Sequence, residues 1–222
     1  MTSKITFVDP AVAAYIAEHT EAPTELEQRL IDETAAMANA GMQIGFPQGA
    51  FMALLTRLLQ PATVVEIGVF TGYSALKVAQ ELRDDATLIA CDLSAEWTSI
   101  AKPYWHEAGV ADRIDLRIGP ASETLAALPP ELIVDMAFID ADKTGYRDYL
   151  EHLVPHLRPG SVVLVDNVLW GGSIIDESDQ SPDTIALREF NDAVLADPRL
   201  DVALLPIGDG LSMITLKTTA LK

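Results

Sequence analysis

Two short apolar runs end in carboxylates: Ala137-Phe138-Ile139-Asp140 and Val163-Leu164-Val165-Asp166, the second followed at once by Asn167. If these runs are neighbouring β-strands, their ends lie about 5 Å apart at the C-terminal edge of the sheet, where open α/β sheets bind ligands. Two carboxylates that close repel each other unless a cation joins them. Asp140, Asp166 and the side-chain oxygen of Asn167 form an all-oxygen set suited to Mg²⁺, leaving positions for water and for two oxygens of an acceptor. Mn²⁺ and Ca²⁺ are the alternatives; zinc would want His or Cys, and these segments carry neither.

Lys143 follows Asp140 by three residues in Asp140-Ala141-Asp142-Lys143, a turn that can return the amine to a metal-bound acceptor. A lysine partly buried beside a dication has its neutral form favoured, as a general base requires. The ordinary alternative is a surface lysine paired with Asp142 or Asp148. The four histidines, His19, His106, His152 and His156, fall in helical stretches and do not converge on these residues. Cys91 is the only cysteine, so no intrachain disulfide can form, and its apolar run marks it as a buried small hydrophobe.

A second candidate site is the run from Val64 to Ser74, a buried strand, a glycine turn and a helix start that lets a ligand approach the backbone. A dinucleotide fingerprint would place a second glycine where Phe70 stands, so a pyrophosphate has poor access. Glu66, just before the turn, fits the cationic end of an amino acid better than a phosphate. Asp92 closes the next strand at the distance where such sheets place an acid that accepts both ribose hydroxyls, while Ser94 can cap the following helix. Ile118-Gly119-Pro120-Ala121-Ser122 offers backbone donors for an adenine edge, except at Pro120, which has no N–H.

The elements that must position these residues follow from periodicity. From Asp9 to about Gln60 the pattern is helical, and Pro61 stops it. Strands are then expected at Val64 to Ile67, Leu88 to Asp92, Ile114 to Ile118, Met136 to Asp140 and Val162 to Asp166. Helices are expected from near Tyr73, Glu96, Ser122 and Tyr146, and over Leu187 to Leu195. Val202 to Leu205 and Leu211 to Leu216 are joined by five residues, too few for a parallel crossover, so they form a hairpin and the sheet ends with an antiparallel strand. The expected fold is α/β and Rossmann-like, a mostly parallel seven-stranded sheet with helices on both faces. It makes one domain of residues 1–222, with an N-terminal helical cap over 1–61 and an α/β core over 62–222.

The composition fits that frame. The 222 residues carry 15 Lys plus Arg against 33 Asp plus Glu, a formal charge of −18, which repels nucleic acid and anionic membranes. The N-terminal stretch MTSKITFVDPAVAAYIAEH has no signal-peptide core, and no apolar run approaches the roughly 20 residues of a membrane span, so a cytoplasmic address is expected. The apolar positions of the cap exceed what one sheet face needs; they predict a homodimer, with covering of the site as a monomeric alternative.

The ordered motifs Met42-Gln43-Ile44-Gly45, VVEIGVFTGYSAL, FIDADKTGY, VDNVLWGG and IGDGLSM resemble the catechol and caffeoyl-CoA type O-methyltransferases of the class I fold, and the resemblance covers nearly the whole chain. It implies divalent-metal-dependent transfer of the methyl of S-adenosylmethionine to one hydroxyl of a catechol-type aromatic small molecule. It also implies a set of roles. Asp140, Asp166 and Asn167 would hold the metal, and Lys143 would take the hydroxyl proton. Glu66, Gly68, Tyr73, Ser74, Asp92, Leu93 and Asp140 would hold S-adenosylmethionine, with Met42 and Ile44 flanking its sulfonium and carboxylate. Ala121 and Ser122 would meet the adenine, since Pro120 stands where the family often has an acid. Lys143, Asn167 and Trp170 would contact the acceptor, Trp170 as a wall or as a packing residue. A caffeoyl-CoA acceptor, a nicotinamide-dependent oxidoreductase and a non-catalytic metal-binding protein are the competing readings. Against the CoA thioester, the segment Ser173 to Asp183 holds four acids and no base, Arg188 being the first cation beyond it, although Arg29 or Arg57 could supply a cationic patch.

Overall fold

The computed structural model describes residues 8–218; residues 1–7 of the stretch read as free of a signal peptide lie outside the described residues. The cap is three helices, α1 (Pro10–Glu18), α2 (Glu25–Ala35) and α3 (Phe46–Leu59). Local chemistry fixes their starts. Asp9 accepts the Ala11 N–H ahead of Pro10, and Thr24 with Glu27 closes a reciprocal capping box on α2. Gln60 turns left-handed after α3 and Pro61 prevents its continuation.

Strand and helix then alternate: β1 (Thr63–Ile67), α4 (Tyr73–Ala79), β2 (Thr87–Asp92), α5 (Ala95–Glu107), β3 (Ile114–Ile118), α6 (Ala121–Ala126), β4 (Met136–Ile139), α7 (Tyr146–Leu153), β5 (Val162–Val165), α8 (Pro182–Ala196), β6 (Leu200–Leu205) and β7 (Leu211–Leu216). The sheet order is β3-β2-β1-β4-β5-β7-β6, parallel except that β7 runs against both β5 and β6. The expected seven-stranded sheet with one antiparallel strand from a C-terminal hairpin is therefore the fold. The antiparallel strand is the last in sequence order but not the edge of the sheet. Crossover through α8 makes β6 parallel to β5, and the short hairpin then folds β7 back into the space between them.

Strands β4 and β5 are apolar throughout, and β1 is apolar between Thr63 and Ile67 but for Glu66, because both faces are covered. Val64, Phe138 and Leu164 face a core closed by the cap and α4 residues Leu30, Met52 and Leu76, whereas Val65, Ile139 and Val165 face one closed by Leu125, Tyr146 and Phe190. Connections leave β1 and β4 toward opposite edges of the sheet, so a crevice opens between their C-terminal ends. Among the described residues, no helix is long and apolar enough to cross a membrane.

Candidate active site

The crevice widens into a cavity of about 880 Å³. On one side stands the glycine turn. Gly68 has φ +93°, and a Cβ there would sit 1.9 Å from the Asp140 carbonyl oxygen, so only glycine allows the turn to lie against the β4 end. Phe70 also takes a left-handed φ of +52°. Asp92 holds that strained turn: its Oδ2 accepts the N–H groups of Val69 at 2.9 Å and Phe70 at 2.8 Å, and its Oδ1 accepts Ser94 N–H at 2.7 Å. Ser94 in turn caps α5 through Trp97 N–H, and Trp97 packs edge-on against Phe70.

Met42, Ile44, Gly68, Tyr73, Ser74, Asp92, Leu93 and Ala121 all lie on the cavity wall. Glu66 and Ser122 do not. Glu66 is 1% exposed behind Ser74, whose hydroxyl donates to its Oε1 at 2.5 Å, and its buried Oε2 has no hydrogen-bond partner. Burial, opposed by that hydroxyl and reinforced by the charges of Asp140 and Asp92, pushes the Glu66 carboxyl up to about 8. Ser122 is half-buried one residue past the wall.

On the other side, β4 and β5 are neighbours with Ile139 paired to Val165, and Asp166 N–H donates to the Ile139 carbonyl at 3.0 Å. That register sets Asp140 and Asp166 side by side. Asp166 is buried, and desolvation together with the Asp140 charge raises its pKa, while Asn167 N–H and the Gln48 amide oppose the shift. Asn167 leaves the strand at φ +60°, a conformation asparagine tolerates.

Lys143 is 7% exposed and turned inward, so it is not a surface lysine. Its Nζ donates to Tyr146 Oη at 2.6 Å, Asn167 Oδ1 at 2.7 Å and Asp140 Oδ1 at 3.2 Å, and it lies 5.5 Å from the Trp170 ring centre. Asp142 bonds instead to the hydroxyls of Tyr149 and Thr144. Tyr146 donates its own hydroxyl to the Asp166 carbonyl at 3.0 Å; burial, with Asp140 and Asp166 near, raises its pKa, so it stays protonated and can only accept from Lys143. Asp140, Lys143, Asp166, Asn167 and Trp170 share one wall.

Residues 17–217 match a family model described as O-methyltransferase. The chain belongs to this family. A caffeoyl-CoA O-methyltransferase of Mesembryanthemum crystallinum is 37% identical, over 91% of this chain and 85% of that one. Among solved structures, an O-methyltransferase of Bacillus cereus in complex with SAH superposes with a TM-score of 0.83 at 28% identity, covering 93% of this chain and 97% of that one. An SAH-bound methyltransferase of Podospora anserina gives 0.84 at 29%, covering 94% of each chain. Family and fold agree with the enzyme class read from the sequence, an S-adenosylmethionine-dependent O-methyltransferase, and not with the nicotinamide oxidoreductase that shares the sheet.

Several residues of this O-methyltransferase's site carry weak sequence signals. Tyr146 closes the FIDADKTGY motif, but its bond to Lys143 needs the first turn of α7 to face β5. Gln48 reaches the cavity from α3, almost fully buried, with its amide turned to Asp166. Asp209, in the hairpin loop, also lines the cavity. Only folding brings these two beside Asp166 and Trp170.

Proposed function

We propose that this O-methyltransferase moves the methyl of S-adenosylmethionine to one hydroxyl of a catechol-type small molecule, with a divalent metal held by Asp140, Asp166 and Asn167. The observation that carries the reading is the buried Lys143 amine bonded between Asp140, Asn167 and Tyr146. The donor set fits a hard dication. It offers two adjacent carboxylates and an amide oxygen, and burial together with mutual repulsion already disfavours a second negative charge at Asp166. Mg²⁺ is the expected ion, with Mn²⁺ or Ca²⁺ as substitutes.

When bound, the metal supplies Lewis acidity that lowers a chelated hydroxyl's pKa, and S-adenosylmethionine supplies an electrophilic methyl. The chain's own residues do the rest. Lys143 Nζ takes the proton of the acceptor hydroxyl, with Tyr146 Oη and Asn167 Oδ1 fixing the direction of the amine. Trp170 gives the acceptor ring an apolar face. Ser74, backed by Glu66, and the wall at Met42 and Ile44 hold the amino-acid end of the methyl donor. Asp92 and Leu93 take the ribose side, and Ala121 takes the adenine side. Tyr73, buried under the turn, supports Ser74. The protein aligns reactants for in-line displacement and excludes water.

A coenzyme A thioester is the second reading, favoured by the names of the relatives. The charge of the cavity opposes it. Asp92, Asp140, Asp142, Asp166, Asp183 and Asp209 line the wall, and among the described residues Lys143 is its only cation. Arg29 is bound to Glu107, Arg57 to Glu81, and the Arg188 guanidinium to four loop carbonyls, so none is free to receive phosphates. A panel of catechols, flavonoids and acyl-CoA esters, assayed with S-adenosylmethionine and Mg²⁺ and read by mass spectrometry, tests the reading. Comparing kcat/KM for caffeic acid, a neutral catechol and caffeoyl-CoA at two salt concentrations decides the acceptor.

The reading also treats residues 1–222 as one working domain, because the cap supplies Met42, Ile44 and Gln48 to a cavity otherwise built by the core. It includes a homodimer formed through the apolar side chains exposed on α1 and α3, among them Tyr15 and Leu58. A monomeric mass by light scattering at micromolar concentration would count against that pairing. A cytoplasmic address and no nucleic-acid partner complete it.

A further inference from the structure

The IGDG stretch between β6 and β7 takes no part in the chemistry above, yet it grips the turn that carries Asn167 and Trp170. Four of the six residues in 167–172 have left-handed backbones: Asn167 at φ +60°, Trp170 at +46°, Gly171 at +61° and Gly172 at +92°. A bulky residue in that region persists only where its surroundings hold it there. The turn's internal bonds are few, from Trp170 N–H to the Asn167 carbonyl at 3.1 Å and from Gly172 N–H to the Leu169 carbonyl at 2.8 Å.

Asn191 of α8 donates to the Val168 carbonyl at 2.9 Å, Asn167 is held by Asp166 and Lys143, and the hairpin loop holds the peptides around Trp170. Val168 N–H donates to the Gly210 carbonyl and Leu169 N–H to the Asp209 carbonyl, each at 3.1 Å. Gly171 N–H, the peptide directly after Trp170, is shared by both oxygens of the Asp209 carboxylate at 2.8 and 3.0 Å. The approach requires glycine at 210, where a Cβ would stand 2.5 Å from Leu169 Cγ. The Trp170 ring held this way lies 5.5 Å from the Lys143 amine.

We infer that Asp209 is a positioning residue that fixes the Trp170 ring plane, and through it selects which of two adjacent acceptor hydroxyls faces Lys143. The kinetic part rests on the catechol reading above. The charge-assisted bond acts on one peptide, so its loss loosens the acceptor wall without touching the glycine turn on the opposite wall.

The test compares wild type, Asp209→Ala and Asp209→Asn with an asymmetric catechol, S-adenosylmethionine and Mg²⁺. Asp209→Ala is expected to raise acceptor KM about tenfold and to mix the two mono-methylated products, with cofactor Kd within about twofold. Hydrogen exchange in residues 167–172 speeds up in parallel. Asp209→Asn, which keeps one acceptor oxygen for Gly171 N–H, recovers most of the wild-type product ratio. Wild-type KM and product ratio in Asp209→Ala, or an equal loss of cofactor affinity, overturns the inference. Should Asp209→Ala fail to fold, Asp209→Glu takes its place, with KM rising from wild type through Asn to Glu; equal values overturn it. If wild type methylates no catechol, the proposed function fails and the exchange data alone decide. Unchanged exchange at 167–172 then overturns the anchoring role, and faster exchange reversed by Asn sustains it.

Discussion

The cavity wall around Gly68 is built on one contiguous stretch, Ile67 to Ser74, tied down by the side chains of Asp92, Thr34 and Trp105, whereas the wall around Lys143 draws on α3, the ends of β4 and β5, the first turn of α7 and the β6–β7 loop. The first wall is made of backbone and glycine, the second of charged side chains that hold one another. The difference teaches where each wall can fail. The glycine turn fails by steric or backbone change at one point; the carboxylate wall fails by loss of one partner in a network whose remaining members are then buried and unsatisfied.

The largest expected effect lies in the carboxylate wall. Lys143→Ala should lower kcat about 10²- to 10⁴-fold while leaving cofactor Kd unchanged, because the proposed mechanism turns the residue toward the acceptor and not toward the glycine turn. Steady-state kinetics with equilibrium cofactor binding checks it, and near-normal turnover would reduce Lys143 to a packing residue. Gly68→Ala comes next and attacks a place where the walls touch. Its methyl meets the Asp140 carbonyl and its φ is unfavourable for alanine, so roughly 2 kcal/mol or more of stability is lost, seen as a Tm lower by several degrees, together with cofactor affinity.

How much of each wall the sequence showed follows from the same contrast. The strands, the C-terminal hairpin and the pairing of Asp140 with Asp166 were legible, since apolar runs ending in acids have few other uses. The inward Lys143 was legible only as one of two options, resolved by the Tyr146 and Asn167 contacts. Placement of Glu66 behind Ser74, the absence of Ser122 from the wall and the left-handed Phe70 were not legible, because they depend on side-chain packing and not on period. Nor were Gln48 and Asp209. Each reaches its partner across more than 35 positions of chain, a relation that composition and spacing do not encode. The antiparallel β7 was foreseen, but its place inside β6 depends on where the α8 crossover delivers the chain.

Two smaller effects sharpen the picture of the glycine turn. Asp92→Asn places an amide donor against N–H groups that the carboxylate now accepts, so cofactor affinity should fall about tenfold with kcat at saturation near normal, as calorimetry and kinetics together would show. A large kcat loss would mean that the two walls are not separable. Glu66→Gln should change pH dependence more than activity. In the folded protein Glu66 titrates near 8, well above its ordinary 4.5, so the native state holds the proton that the unfolded chain releases. Its contribution to stability is therefore full below about 4.5, declines as pH rises through that window and is lost above about 8. Urea melts of the cofactor-free protein across this range should show a shallower decline in Glu66→Gln than in wild type; identical slopes would place the Glu66 proton elsewhere.

In the proposed mechanism the Asp140, Asp166 and Asn167 oxygens work on the acceptor through a divalent metal. Its most direct test is methyl transfer to a catechol by protein stripped of metal, with removal verified by elemental analysis, before and after Mg²⁺ is returned. Product formation is expected to be lost on stripping and restored by Mg²⁺ in wild type but not in Asp166→Ala. Full activity in the verified metal-free protein would contradict it.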